Sequence, residues 1–153
     1  MKPLLKFIGL SQRERHFLLK TYLLLGLIRL GLWLLPFQTL QAWLAKLQHK
    51  PGLYQAPKLT KISSRSVGKA IWAVNVSSRY MPGKVKCLAR ALATQVLICR
   101  QGYQPELKIG VAKAADHSLE AHAWIELQGQ VIMGLVHDLS RFTPMPSLDS
   151  KSR

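Results

Sequence analysis

Acid is the scarcest chemistry in the first two thirds of this chain. Residues 1–105 contain 17 Lys and Arg but a single carboxylate, Glu14, whereas residues 106–153 contain five basic and six acidic side chains. The net charge of +15 is therefore a property of the N-terminal part, and it suits an anionic partner such as nucleic acid, lipid or acidic protein. Cysteine is nearly absent too. Cys87 and Cys99 are the only two, too few for a disulfide scaffold or a cysteine zinc site. Cys99, His117, His122 and His137 have no standard ligand spacing, and no glycine-rich phosphate loop occurs, so neither metal nor cofactor is expected. No nucleic-acid motif is present. Trp33, Trp43 and Trp72 sit in segments with helical patterning, which fits packing better than base stacking. The basic start Met1–Lys6 is followed by an apolar run, Phe7–Leu10, too short for a secretory signal, so a cytoplasmic location is expected.

Apolar residues are plentiful, at 48% of 153. A chain of that size forms one domain and buries roughly two thirds of its unfolded surface. The densest run is Phe17–Phe37, interrupted by Lys20 and Arg29 and closed by Pro36. An arginine near its middle disfavours a membrane span. The run reads as a helix buried in the domain or on a partner, with peripheral contact to a membrane surface as the second reading.

Ser11 and Glu14 have the spacing of a capping box, which starts a helix that stops before Pro36. A second helix covers Gln38–Gln48, with Leu40, Trp43, Leu44 and Leu47 on one stripe. Pro51, Gly52 and Pro57 mark a connector. Ser66–Arg79 reads as a third helix whose face carries Val67, Ala70, Ile71, Val74 and Ser78. After the break at Met81-Pro82-Gly83, Lys84–Arg100 reads as a fourth, ended by Gly102. The period then changes. Leu107, Ile109 and Val111 alternate as in a strand, Asp116–Glu120 is a polar loop, and Ala121–Leu127 and Gln130–Met133 form a hairpin around Gln128-Gly129. Helices first and a hairpin-rich sheet last give an α+β class. The domain scheme is a leucine-rich basic helical segment 1–50, a connector 51–65 and a catalytic domain 66–153.

Cys87 stands at the start of the fourth helix. There, free backbone N–H groups, the positive helix end and Lys84, Lys86 and Arg90 all favour a thiolate. A packed core cysteine is the plain alternative. His122 begins the strand AHAWIEL, where His122, Trp124 and Glu126 share one face and Ala123, Ile125 and Leu127 take the apolar other. Cys87 as nucleophile and His122 as base suffice for acyl chemistry, with helix-start amides for the oxyanion. A third group would orient the imidazole. Asp138 is the first candidate; a backbone carbonyl, an Asn or Gln from elsewhere, or no third group are the others.

Cys-Leu-x-Arg-Ala-Leu from Cys87 to Leu92, Gly102-Tyr103, Ile109-Gly110-Val111, Ala121-His122-Ala123-Trp124 with Glu126, then Gly129 and the strand to Gly134, together resemble the transglutaminase-like cysteine protease family of lasso-peptide biosynthesis. The resemblance covers about residues 66–145. It implies a papain-like or transglutaminase-like core in which a helix-borne Cys87 packs on an antiparallel sheet carrying His122, with helices preceding it. It also implies an activity: removal of the leader from a ribosomally made precursor peptide. The implied partners are a small leader-recognition protein and an ATP-dependent lasso cyclase. Many relatives have an Asp where this chain has Gly134, which puts the third group in question. An acyl transferase of transglutaminase type, and a non-enzymatic basic module that binds peptide or nucleic acid, are the rival readings.

Overall fold

The computed structural model describes residues 8–48 and 64–146. Helix α1 is Gln12–Leu34. The Ser11 hydroxyl accepts from the Glu14 amide while the Glu14 carboxylate accepts from the Ser11 amide, so the expected capping box is formed. Two orphan amides are thereby satisfied at once. Those bonds, the backbone one foremost, hold the Glu14 carboxyl below its ordinary value, and Lys69 adds to them. Helix α2 is Phe37–Gln48, α3 is Ser64–Tyr80 and α4 is Cys87–Cys99. The connector lies mostly outside the described residues.

The last helix starts three residues later than the sequence pattern suggests. Gly83 has φ +78 and Lys86 is extended, so Lys84–Lys86 are a lead-in and Cys87 is the first helical residue. On α3 it is Ser77, not Ser78, that joins Val67, Ala70 and Val74 in the interior.

The strands are β1 Glu106–Lys113, β2 Leu119–Leu127, β3 Gln130–Met133 and β4 Thr143–Pro144, with a short 3-10 turn at Leu139–Arg141. They form one antiparallel sheet in the order β3-β2-β1-β4. Leu119 and Glu120, expected in a loop, belong to β2, because its pairing with β1 runs on to Lys113↔Leu119. Gln128 and Gly129 both have positive φ, as a tight two-residue hairpin turn requires.

The helices cover one face of the sheet. Ala123 and Ile125 of β2 and Met133 of β3 enter a single cluster with Leu25 and Ile28 of α1, Leu40 and Leu44 of α2, Val74 of α3, and Ala89, Leu92 and Val96 of α4. The N-terminal helices thus share the core of the sheet. Lys69 of α3 lies over the Phe17 ring of α1 at 5.9 Å, a further tie between those helices. Helix α1 is also long and apolar enough to cross a membrane by length and composition alone. Its Leu18, Thr21, Leu25, Ile28 and Gly31 are nevertheless buried, so one side of it is committed to the protein.

Candidate active site

Cys87 occupies the first position of α4, half-buried against the main core cluster. The Lys86 cap supplies no side-chain hydrogen bond, and the first intrahelical bond runs from the Arg90 amide to the Lys86 carbonyl. The amides of Cys87, Leu88 and Ala89 therefore have no helical partner, and they point out of the helix end that carries the thiol. Cys99 closes the same helix. Burial pushes its thiol up to about 11, so it is the inert cysteine of the two at neutral pH.

Helix α4 runs in the same direction as β2. At its far end, Ile98 shares a small cluster with Leu127. From Ile98 back to Cys87 the helix rises about 16 Å, and from Leu127 back to His122 the strand spans about 16 Å. The helix start therefore comes level with the His122 end of the strand. Arg90 makes the same tie from its side, contacting Asn75 Oδ1 on α3 and, at 3.7 Å, the Met133 sulfur, one residue before Gly134.

His122 is fixed by three neighbours. Its Nε2 lies 2.6 Å from the Gly134 carbonyl oxygen. A carbonyl only accepts, so Nε2 carries the proton and donates. In the neutral ring Nδ1 is then the unprotonated nitrogen, able to take a proton from a thiol. Trp124 stacks at 6.2 Å and 18°, and Phe142 meets the ring at 5.4 Å and 43°. Trp124 is 3% exposed, so the indole beside the imidazole is buried. It lies across Gly110, where an added Cβ would come within 2.9 Å of it, and it donates to Glu126 Oε1 at 2.8 Å.

The alternation along β2 places Ala123, Ile125 and Leu127 toward the helices and His122, Trp124 and Glu126 on the other side. Cys87 lies on the helix side of the sheet and His122 on the opposite face, and no hydrogen bond joins them. Asp138 is not brought to His122. Its carboxylate pairs with Arg141 at 3.0 Å, and Arg141 also pairs with Glu120 at 2.6 Å. Partial desolvation is the largest single influence on Asp138 and raises its pKa, but a backbone hydrogen bond, Arg141 and His137 together bring it below its ordinary value. The position beside the imidazole belongs to the backbone of Gly134. With φ +84, and with a Cβ there falling 2.7 Å from the Ala123 carbonyl oxygen, position 134 has no room for an Asp side chain. Arg141 stacks over Phe142 at 4.9 Å, so Asp138 reaches His122 only indirectly, through Arg141 and Phe142.

Sequence reasoning did not find Gly134 as acceptor, nor Phe142 and Gly110 as neighbours of the imidazole and indole. The missing Asp was the available signal for the first. The chain thus carries a cysteine at the start of a helix that packs on an antiparallel sheet, and an oriented imidazole on that sheet. The chain belongs to the transglutaminase-like superfamily, whose family model matches residues 31–147. That superfamily includes cysteine peptidases and acyltransferases. The match takes in the last turn of α1 and all of α2, ahead of residue 66, where the sequence resemblance begins. No curated protein and no solved structure matches the chain significantly.

Proposed function

We propose that this protein is a cysteine peptidase that removes the leader from a ribosomally synthesised lasso precursor peptide, with Cys87 as nucleophile and His122 as base. The observation that carries the reading is the His122–Gly134 bond. It fixes the tautomer and leaves Nδ1 as the acceptor. In the proposed reaction Nδ1 of His122 takes the thiol proton, which requires the imidazole to leave Gly134 and come round the end of β2 to Cys87. The sulfur attacks the scissile carbonyl, and the unpartnered amides of Cys87 and Leu88 receive the oxyanion. The C–N bond breaks as the imidazolium protonates the leaving amine. Water, deprotonated by the same imidazole, then releases the acyl group from sulfur. A small leader-recognition protein and the ATP-dependent cyclase are the proposed partners, and the cytoplasm the proposed site of action.

The test is incubation of the protein with its neighbouring precursor peptide and recognition protein, read by mass spectrometry. Release of a free leader carboxylic acid is expected, with loss of the product in Cys87→Ala and His122→Ala while their circular dichroism stays unchanged. A product in which an amine replaces water at the cleaved carbonyl would make the protein an acyl transferase. Unimpaired cleavage by either alanine variant would refute the assignment of the pair.

A further inference from the structure

The face of α1 that points away from the core is as apolar as the face that enters it. Leu19, Leu23, Leu27, Leu30 and Leu34 recur at three- and four-residue intervals and are all between 49% and 61% exposed, and Trp33 beside them is 81% exposed. From Leu19 to Leu34 this ridge runs about 22 Å. A helix on the surface of a water-soluble domain normally presents polar side chains there, and a continuous apolar ridge marks a contact surface.

The surroundings of the ridge identify its occupant. Just N-terminal to it, Arg13, His16 and Lys20 line a shallow concavity of about 400 Å³ with Gln12 and Phe17. Arg29 flanks the ridge further along, donating to the Pro82 carbonyl at 2.6 Å. The only acid in residues 1–105, Glu14, is already engaged by Ser11. Cations at one end and along the flank, leucines in the middle and no free carboxylate in residues 1–105 match an anionic phospholipid: phosphate at the cationic end, acyl chains under the leucines. A convex ridge of near-identical leucines also lacks the recess and mixed polar rim by which a specific protein interface is shaped.

We propose that α1 lies flat on an anionic lipid surface, its buried side remaining in the core and its leucine ridge entering the headgroup–acyl boundary. The helix does not cross the bilayer, because Leu18, Leu25 and Ile28 hold it to the helical layer. The proposal is independent of the thiol chemistry.

Co-sedimentation of the full chain with vesicles tests it. Binding to phosphatidylglycerol–phosphatidylcholine vesicles is expected, with much weaker binding to phosphatidylcholine alone and loss of affinity at high salt. The exposed triple substitution Leu23→Ser, Leu27→Ser, Leu30→Ser should lower the affinity at least about tenfold, and Lys20→Gln with Arg13→Gln should remove the preference for anionic lipid. Cys87→Ala should bind like the parent. Failure of the parent chain to sediment with anionic vesicles overturns the proposal. So does equal binding by a triple-serine variant whose circular dichroism is unchanged. A lipid-free dimer that the triple substitution dissociates, with no vesicle binding by either form, would assign the ridge to a second copy of the chain and likewise overturn it.

Discussion

Gly134 and Asp138 compete for one job, and the hydrogen bond made by His122 decides between them. The imidazole donates to a main-chain oxygen, while Asp138 is engaged by an arginine on the surface. Asp138→Ala removes one exposed ion pair, so cleavage should stay within about twofold of the parent. Gly134→Ala forces a Cβ to within 2.7 Å of the Ala123 carbonyl oxygen at a φ that L-residues avoid. It should cost about 2 kcal/mol in thermal unfolding and depress cleavage in the protein that remains folded. Cys99 gives a pH prediction. Its folded thiol sits near 11 against an ordinary value of 9.0, so the folded state holds this proton more tightly than the unfolded chain does. Stability from this group is complete below pH 9 and declines as pH rises toward 11; denaturation midpoints of Cys99→Ala should show a shallower alkaline decline. At neutral pH a thiol reagent should label Cys87 well before Cys99. Cys87 was legible as a helix-start residue because the Pro82-Gly83 break lies just ahead of it. The Gly134 carbonyl was not, because no side-chain pattern announces which main-chain oxygen will meet a ring twelve residues away.

Among the elements, α1 owes its start to local chemistry and its position to packing. Ser11→Ala removes the hydroxyl half of the capping box and should cost about 1 kcal/mol, measurable as a lower urea midpoint. The Glu14 carboxyl, held below its ordinary value by Ser11, contributes above its unfolded pKa and stops contributing as pH falls through the folded value. Ser11→Ala should therefore also flatten the acid side of the stability profile. Elements with local signals were legible in this way: the capping box, the turn at Gln128-Gly129 and the αL glycine Gly102 lie where the sequence puts them. Strand β4 was not, since two residues, Thr143 and Pro144, carry no period. Its existence depends on β1 offering an edge.

For the molecule as a whole, the helical layer and the sheet close over one interior. Leu25, Ile28, Leu40 and Leu44 come from the first 48 residues yet pack in the same cluster as Ala123 and Ile125. Each such side chain contributes about 1.5–3 kcal/mol on burial, so four of them rival the entire net stability of a domain, about 5–15 kcal/mol. A fragment comprising residues 64–153 should consequently show no cooperative thermal transition, although the sequence resemblance begins at residue 66. The α+β class was legible from the change of period after Gly102. The sharing of a core was not, because an apolar helix looks the same from sequence whether it packs on its own domain, on a partner or on lipid.

An orienting group made of main chain has a practical corollary for Gly134. Scanning mutagenesis replaces side chains, and no genetically encoded exchange at that position alters the carbonyl itself. The direct probe is a single-atom change: replacing the amide after Gly134 by an ester, with the hydroxy acid analogue of Leu135, which weakens that oxygen as an acceptor while sparing every side chain of the site.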